Sequence, residues 1–552
     1  YFRKKLGTES RIAWLPDTFG FPATLPQIFK HCGLDYFATQ KLRFRFDVPF
    51  PYDVFWWKSP DGSRVLSFMT YGYDVRLHEV PSIYRTFKAK TGLDNLLLLY
   101  GVGDHGGGPS RKMIRTIHEM ERARAFPVVD HLRPGSAMAR LERHSDRIPT
   151  WQDELYLQYH RGTYTSQSEL KRTNRRLEVL FGEAEVFNAL SPSPRSQWEI
   201  EKAWRKLLLE QFHDVLAGSS IPGVYEDAFA NLQVADFWAH AVLDSALTAL
   251  EEKIDTRGRG VPVVVWNALC WPRTDVARVD LPAGFELAKV RVVDARGREV
   301  PSQVSEGQIV WLAERVPAFG YRVYWLQAKR CKGGQAVTTM EFVATNGRVK
   351  IEFDPDRGTV KNLWLRTERG LEPVLAPEQA GNDLLFLGDR GNAWNLQYTG
   401  ETWRLEQAEV RLLERGPVFA RFRVTRRFRD SRFLQDFFVY RELDRVDVRT
   451  TVDWHARHVT AKAVFPLAFR AETAVFDEPY GVIERPTVPK TAIDSTKFEV
   501  SGQKWVDLSA PDGSLGLALL DNGKYGYDIR PDRLRLTLLR SATSPDPEMD
   551  QG

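Results

Sequence analysis

The chain has 552 residues, of which 43% are hydrophobic and 27% charged, as is typical of a soluble globular protein with three or four domains. Its 77 basic and 72 acidic residues leave a net charge of +5, which gives no reason to expect nucleic acid or an acidic membrane as a partner. No apolar run approaches the roughly 20 residues that cross a bilayer, and the three scattered cysteines argue against a disulfide framework and favour a reducing compartment such as the cytoplasm.

Residues 1–150 alternate short apolar runs with helical patterns. Strands are predicted at 11–15, 36–38, 64–70 and 96–100, and helices at 24–32 and 109–124. Alternation of strands and helices indicates an α/β domain built on a parallel sheet or barrel. In such folds the chemistry lies at the carboxyl ends of strands, so acidic residues that follow a strand are the first candidates for a site.

The remaining chain divides into a helical part and a long β-rich part. Residues 151–255 show apolar residues at helical spacing and predict a three-helix bundle. After about residue 260 the apolar pattern changes to a period of two, which predicts a small β domain at 256–332 and a large β-sandwich domain at 333–552. The first residues read as the middle of a domain and the last as a loop entering another strand, so we expect the sequence to be truncated at both ends.

Asp17 directly follows the first predicted strand and has the aromatic neighbours Trp14, Phe19 and Phe21. Aspartate is a common helix N-cap, so Asp17 is either the cap of the helix near Pro22 or a functional acid at the carboxyl end of a strand. Capping needs no aromatic wall, whereas aromatic faces pack well against sugar rings. Both interpretations stay open on the local sequence.

Asp104 lies in a glycine-rich loop between a predicted strand and a predicted helix. Gly101, Gly103 and Gly106 match the dinucleotide-binding pattern GxGxxG. An acidic residue inside a loop that should hold pyrophosphate argues against that interpretation, as does the lack of an acid ending a second strand about 20 residues on. The alternatives are a flexible loop that presents a carboxylic acid to a substrate and a tight turn with a solvated aspartate.

His213 and Asp214 follow the amphipathic helix predicted at 204–212 and precede a Gly-Ser-Ser turn. A lone helical histidine is usually a packed or exposed residue, but imidazole nitrogen and carboxylate oxygen are both good zinc ligands. The run YHRGTYT at 159–165 is dense in hydrogen-bonding groups. A capping loop and a sugar-binding loop explain that run equally well.

Seven segments in order resemble the glycoside hydrolase family 38 α-mannosidases, particularly the bacterial members. They are WLPDTFG at 14–20, LPQI at 25–28, TQK at 39–41, FWW at 55–57 with PDGS at 60–63, GVGD at 101–104 with GGGP at 106–109, YHRGTYT at 159–165 and QFHD at 211–214. The resemblance covers nearly the whole chain, and seven motifs in the right order are hard to obtain by chance.

The resemblance implies a partial α/β catalytic barrel, a helical bundle and C-terminal β-sandwich domains. It also implies that Asp17 is both the nucleophile and a zinc ligand, that His213 is a second zinc ligand, and that Asp104 is the general acid/base. One Zn²⁺ with four protein ligands is expected per site, and the other two ligands, a His-x-Asp pair, are expected upstream of Tyr1. The implied substrate contacts are Phe19, Lys41, Tyr73 and Asp214.

The implied function is hydrolysis of terminal α-mannosides by double displacement, with retention of the anomeric configuration. The expected partner is an oligosaccharide with a terminal α-mannose, and self-association into a homo-oligomer stays open. Two alternatives also stay open: a non-catalytic carbohydrate-binding remnant that lacks a complete metal site, and a nucleotide-dependent enzyme built on the glycine-rich loop. Hydrolysis of an aryl α-mannoside that is lost on chelation separates the first function from both alternatives.

Overall fold

Two units divide the chain, the first made of Tyr1–Thr163 with Val475–Gln503 and the second of Tyr164–Ala474 with Lys504–Gly552. The computed structural model describes residues 2–43, 47–72, 78–103, 106–124, 126–192, 194–195, 197–286, 289–329, 331 and 333–545. In this part of the chain, no helix combines the length and the apolar character that a membrane crossing requires.

A five-stranded sheet forms the centre of the first unit. Its strands are β1 (Ile12–Trp14), β2 (Tyr36–Thr39), β3 (Val54–Lys58), β4 (Arg64–Met69) and β5 (Thr150–Trp151), in the order β1-β2-β4-β3-β5. The strands predicted at 11–15, 36–38 and 64–70 are confirmed. β1 pairs in parallel with β2, and β2 with β4, so the carboxyl ends of these three strands lie at the same edge of the sheet.

The sheet is mixed, so the prediction of a parallel sheet is wrong at β3. This strand runs antiparallel to β4 and parallel to β5. Only residues 59–63 join β3 to β4, and Ser59 N donates to Ser63 O across them at 2.8 Å. A connection this short can only reverse the chain, because a parallel crossover needs a dozen or more residues.

The strand predicted at 96–100 is wrong, because none of the strands in the described residues includes it. Leu96 and Leu97 pack instead against a core cluster that contains Phe68, Leu93 and Met138. Burial against a core explains an apolar run, whereas a strand also needs a neighbouring strand edge for its backbone hydrogen bonds.

The helices of residues 1–163 precede or separate these strands along the chain. They are α1 (Phe2–Leu6), α2 (Leu25–His31), α3 (Val80–Thr91), α4 (Arg111–Arg122) and α5 (Pro134–Glu142). The helices predicted at 24–32 and 109–124 correspond to α2 and α4. α4 begins two residues later than predicted because Ser110 is its N-cap and accepts a hydrogen bond from Met113 N at 3.2 Å.

The second unit begins with helices. They are α6 (Ser168–Leu190), α7 (Gln197–Glu210), α8 (His213–Leu216) and α9 (Pro222–Glu251). The three long helices α6, α7 and α9 pack on one another. Their shared core contains Leu177 and Phe181, which are four residues apart on α6, together with Leu207 of α7 and Leu232 of α9.

Two small sheets follow the helices. Their strands are β6 (Val261–Asn267), β7 (Arg273–Asp280), β8 (Arg291–Asp294), β9 (Glu299–Val300), β10 (Ser302–Ser305), β11 (Gln308–Val316) and β12 (Gly320–Gln327). The sheet orders are β6-β12-β8-β9 and β10-β11-β7. Both sheets contribute to one core, which includes Val292, Trp311 and Leu326.

Larger antiparallel sheets complete the second unit. The next strands are β13 (Thr338–Met340), β14 (Val343–Thr345), β15 (Val349–Phe353), β16 (Val360–Thr367), β17 (Gly370–Pro373), β18 (Asp383–Asp389), β19 (Tyr398–Arg404), β20 (Ala408–Arg415), β21 (Phe419–Phe428), β22 (Ser431–Tyr440), β23 (Val446–Asp453) and β24 (Val459–Pro466). The sheets β13–β17 and β20–β23 each follow sequence order. They pack face to face through a core that includes Ile351, Phe353, Phe422 and Phe437.

After β24 the chain enters the first unit once and then returns to the second. The last elements are β25 (Thr473–Glu478), β26 (Gly481–Pro486), α10 (Ala492–Thr496), β27 (Val500–Ser501), β28 (Trp505–Ser509), β29 (Gly516–Leu520), β30 (Gly526–Arg530) and β31 (Arg533–Arg540). Within the second unit, β31 pairs antiparallel with β24 and β30. β26, α10 and β27 fall within Val475–Gln503 and thus belong to the first unit.

A buried charge cluster holds the two segments of the first unit together. Arg485 donates from Nε to Glu154 Oε1 at 2.9 Å and from Nη2 to Glu154 Oε2 at 2.7 Å. Lys497 Nζ lies 2.9 Å from the same carboxylate and 3.1 Å from Asp153 Oδ2. Burial favours the neutral acid, but the two cations outweigh burial and hold the pKa of Glu154 well below its usual range.

We expect Arg485→Met to lower the free energy of unfolding by about 3 kcal/mol, because the substitution removes one partner of a buried ion pair. The double variant Glu154→Met/Arg485→Met should lose less than the two single variants combined, since no half of that pair stays buried alone. Urea unfolding measures both effects. Arg257→Met, which removes an exposed ion pair with Asp255, is the control and should change stability by less than about 0.5 kcal/mol.

Candidate active site

Parallel pairing of β1 and β2 brings Asp17 and Lys41 together. Asp17 lies three residues after β1, and Lys41 begins a short 3₁₀ turn two residues after β2. The backbone N–H groups of Gln40 and Lys41 both donate to Pro16 O, at 3.1 and 3.3 Å. Lys41 Nζ then lies 3.2 Å from Asp17 Oδ1, and both side chains are about one-fifth exposed, at 20% and 24%. Asp17 is thus a solvent-reachable acid, paired with Lys41, at the edge where the three parallel strands end.

The N-cap interpretation of Asp17 is wrong. The helix near Pro22 is α2, which begins at Leu25 and has Thr24 at its N-cap position. Asp17 instead belongs to the segment that continues β1 and is followed by Phe19, whose ring packs at the border of the aromatic core of this unit. The remaining interpretation from the local sequence is a functional acid at the carboxyl end of a strand.

Phe19 and His160 form one stacked pair. Their ring centroids lie 4.5 Å apart with an angle of 8° between the planes. His160 is 3% exposed, and burial together with the positive charge of Lys41 lowers its pKa from 6.5 to about 3. The imidazole is therefore neutral near pH 7 and acts as a flat partner that sets the orientation of Phe19. The sequence marked this histidine only as part of the polar run at 159–165.

A buried carboxylate anchors the turn that carries Lys41. Asp53 is 1% exposed and lies 2.8 Å from Arg43 Nη2 and 2.6 Å from Lys90 Nζ, and it accepts a hydrogen bond from the Tyr71 hydroxyl. Burial raises the pKa of Asp53. The charge of Arg43 and the hydrogen bonds from Lys90 and Tyr71 together have the larger, opposite effect, so the pKa is lowered overall and the group stays ionised. Arg43 is the last residue of the Lys41–Arg43 turn. Its ion pair with the buried Asp53 therefore anchors the end of this turn.

The anchoring residues of Asp53 are not apparent in the sequence. Arg43 lies in a 3₁₀ turn, Tyr71 follows β4 and Lys90 lies in α3, so no local spacing rule relates them. The one available signal is that Asp53 stands directly before the apolar strand β3, where a charged residue is unusual unless it is paired.

In the second unit, a serine-rich turn holds His213 and Asp214. His213 Nε2 lies 3.5 Å from Asp214 Oδ2, and the His213 side chain is 24% exposed. Ser219 donates from Oγ to Asp214 Oδ1 at 2.9 Å, and Ser220 donates from Oγ to Asp214 O at 2.9 Å. Both residues of the predicted pair therefore lie in the first turn of α8 and are partly exposed. The hydrogen bonds from Ser219 and Ser220 hold Asp214 there.

Gly218 allows this turn to approach the preceding loop closely. Its φ is +83°, and an added Cβ would lie 2.5 Å from Ser166 O. No other residue fits that position without moving the backbone. The turn after α8 therefore packs directly against Ser166, the residue that follows the run at 159–165.

The glycine-rich loop closes at its base. Val102 N donates to Gly107 O at 3.0 Å, and Gly107 N donates to Val102 O at 2.8 Å. An added Cβ at Gly107 would lie 2.8 Å from Val102 Cβ, so only glycine permits this closure. Asp104, within the loop, and Tyr73 lie outside the described residues.

The predicted site residues are distributed over both units. Asp17, Phe19 and Lys41 belong to the first unit, whereas His213 and Asp214 belong to the second. Within the first unit, the structure brings together an acid, an ammonium and an aromatic face supported by a neutral imidazole. Within the second, it presents an imidazole beside a carboxylate, a pair of groups that metal ions bind.

Three family models match the chain one after another. The glycosyl hydrolases family 38 N-terminal domain matches residues 1–154, the alpha mannosidase middle domain residues 158–250, and the glycosyl hydrolases family 38 C-terminal domain residues 344–548. A likeness of fold agrees with these matches. The crystal structure of an alpha-mannosidase from Enterococcus faecalis V583 superposes with a TM-score of 0.82 at 16% identity, over 98% of this chain and 72% of that one.

Curated relatives match along the entire chain. Alpha-mannosidase 2C1 of Mus musculus is 31% identical over 575 residues, which cover 100% of this chain and 52% of the relative. Alpha-mannosidase G of Dictyostelium discoideum is 30% identical over 602 residues, which cover 100% of this chain and 54% of the relative. The chain therefore spans about half the length of the curated relatives it matches.

The pKa of His160 predicts a specific loss of stability in acid. Since its pKa falls from 6.5 to about 3 on folding, the unfolded chain binds the extra proton between these values. This residue should therefore cost up to about 1.4 kcal/mol of stability for each pH unit below 6.5. His160→Phe keeps a ring against Phe19 but cannot titrate, so its stability should fall less steeply between pH 6.5 and 4 than that of the parent.

Urea unfolding at a series of pH values measures this difference in slope. His78→Phe, at an exposed histidine of the same unit, is the control and should keep the slope of the parent. Equal slopes for His160→Phe and the parent would show that burial does not hold His160 neutral.

Proposed function

Because the chain belongs to glycosyl hydrolase family 38, we propose that it acts in a retaining α-mannosidase that hydrolyses terminal α-mannosides. Asp17 is the nucleophile and Asp104 the general acid/base. The observation that carries the proposal is the position of Asp17, at the carboxyl edge of β1 and beside Lys41 and the Phe19–His160 stack.

The surroundings of Asp17 suit a nucleophilic carboxylate. The Lys41 ammonium lies 3.2 Å from Oδ1 and holds the side chain by an ion pair. Because Lys41 contacts Oδ1, the other oxygen is the one that attacks the anomeric carbon. Phe19 offers an aromatic face on which the apolar face of a pyranose packs, and His160 holds that face in one orientation. Tyr73 and Asp214 are assigned as further contacts to sugar hydroxyls.

The reaction consists of two displacements. Asp104 donates its proton to the leaving oxygen while an Asp17 oxygen bonds to the anomeric carbon and the glycosidic bond breaks. Asp104, now a carboxylate, takes a proton from water, and the water oxygen displaces Asp17 from the anomeric carbon. Two inversions restore the α configuration. The two carboxyl groups are expected at roughly 5–5.5 Å from each other in the competent conformation.

By the family resemblance, Asp17 and His213 are two of the zinc ligands. Carboxylate oxygen and imidazole nitrogen are both ligands that Zn²⁺ accepts, and both side chains are partly exposed. The family resemblance implies four protein ligands, of which the other two are a His-x-Asp pair. When bound, the metal supplies a template that orients neighbouring hydroxyls of the sugar.

The same proposal includes the fold around the site, the substrate and the compartment. The mixed sheet of the first unit is one part of an α/β barrel, and α6, α7 and α9 are the family's helical bundle. The substrate is an oligosaccharide that ends in α-mannose. Three free cysteines, two of them exposed, support a reducing location such as the cytoplasm.

Replacing the nucleophile tests the assignment directly. Asp17→Asn should lower kcat/KM on an aryl α-mannoside by at least about a thousandfold, because an amide cannot form the covalent mannosyl intermediate. The control Asp61→Asn, in the exposed β3–β4 turn, should retain the activity of the parent. A fluorinated mannosyl fluoride should label a peptide that contains residue 17, and labelling of a different acid would reassign the nucleophile.

Leaving-group dependence tests the acid/base. Asp104→Asn should slow poor leaving groups far more than activated aryl groups, because only poor leaving groups need protonation. Azide should restore the rate and yield α-mannosyl azide, since azide attacks the β-linked intermediate without base help. An equal loss on all substrates with no azide product would place the acid/base elsewhere.

Chelation separates the hydrolase from the alternative, a non-catalytic carbohydrate-binding remnant. A hydrolase should lose turnover on chelation and regain it with Zn²⁺, and His213→Gln should weaken zinc retention without changing the fold by circular dichroism. A remnant should bind mannosides but release no aryl group at any zinc concentration.

A further inference from the structure

A cluster of metal-ligating side chains lies outside the proposed active site, between α4 and the segment that follows it. His118 and Glu121 are three residues apart on α4 and so share one face of the helix. His118 Nδ1 lies 2.8 Å from Glu121 Oε2, and His131 Nε2 lies 3.2 Å from Glu121 Oε1. One ligand atom from each of the three residues falls within 4.8 Å of the others.

We propose that His118, Glu121 and His131 form a second, non-catalytic binding site for a divalent transition-metal ion of the zinc type. Two imidazole nitrogens and one carboxylate oxygen are a donor set that Zn²⁺ takes, with water in the fourth position. Zinc ligands at 2.0–2.1 Å from the metal stand roughly 3.4 Å apart in a tetrahedron. The three ligand atoms already lie within 4.8 Å of one another, so each separation needs to change by no more than about 1.4 Å to reach this spacing.

The orientation of His131 is set from its far side. Tyr100 Oη lies 3.1 Å from His131 Nδ1, so the second ring nitrogen has a partner while Nε2 faces Glu121. A metal-binding histidine almost always has such a partner on its other nitrogen, which fixes the tautomer and the ring orientation. A simple surface ion pair has no need of this arrangement.

The site is open to solvent. The side chains of His118, Glu121 and His131 are 52%, 29% and 41% exposed. An ion can therefore enter without any movement of the backbone, and water can complete its coordination.

The position of the site gives it a structural role. Tyr100 is the residue directly before Gly101, where the glycine-rich loop that carries Asp104 begins. A metal held by α4 and His131 fixes the partner of Tyr100 and thereby the start of this loop. The site does not depend on the proposed hydrolase function, because its ligands take no part in that chemistry.

Zinc stoichiometry tests the proposal, with His213→Gln as the background in order to remove the proposed catalytic ligand. After chelator treatment, equilibrium dialysis against ZnCl₂ should give one Zn²⁺ per chain. Adding His118→Gln or His131→Gln should abolish this binding, whereas the control His78→Gln, at an exposed histidine beside Glu79, should retain it. All three sites are exposed, so circular dichroism should stay unchanged. No bound zinc in the background, or equal binding in all variants, means that the cluster is only a group of ion pairs.

Cobalt and Tyr100 provide a second readout. Co²⁺ in a site of low coordination number gives intense visible bands, and these should appear in the background and vanish with His118→Gln. Tyr100→Phe should weaken zinc binding roughly 10- to 100-fold, because it removes the group that orients His131. An unchanged affinity in Tyr100→Phe would refute the orienting role of the tyrosine, and a lack of cobalt bands would refute the site.

Discussion

The parallel pairing of β1 with β2 is the constraint on which the candidate site depends. Parallel neighbours end at the same edge of a sheet, so the residues that follow them meet although the chain separates them. The backbone bonds from Gln40 and Lys41 to Pro16 extend this pairing past the strands themselves. An ammonium and a carboxylate thus face each other at 3.2 Å without either side chain being enclosed.

Two clusters of buried charge hold parts of the first unit in place. Asp53 neutralises Arg43 and Lys90 beneath the turn that carries Lys41. Glu154 is paired with Arg485 and Lys497, which come from the part of the chain that folds back onto the first unit. In both clusters the carboxylate is nearly inaccessible and its pKa is low, because the cations outweigh the cost of burial. Such clusters give little net stability, but breaking one partner is costly, so they favour one arrangement of the segments.

His160 differs in its surroundings from the pair of His118 and His131, although all three belong to the first unit. His160 is enclosed and neutral, and its flat ring orients Phe19. His118 and His131 are exposed and flank a charged carboxylate, which is the environment in which an imidazole binds a cation. Burial, rather than residue type, decides between the two roles. His160 belongs to the surroundings of Asp17, which lies in one of the motifs that carry the family resemblance. His118 and His131 lie outside those motifs.

The sequence by itself determined the family, the order of α/β, helical and β-rich parts, and Asp17 as an acid after a strand, because these depend on local patterns and ordered motifs. Only the tertiary structure decided that Thr24 rather than Asp17 stands at the N-cap of α2, that β3 runs antiparallel to β4, and that the run at 96–100 packs as an irregular segment. The partners of His160, Asp53 and His131 were likewise beyond prediction. Each contact joins residues from different elements, and no local spacing rule encodes contacts that arise when strands and helices pack.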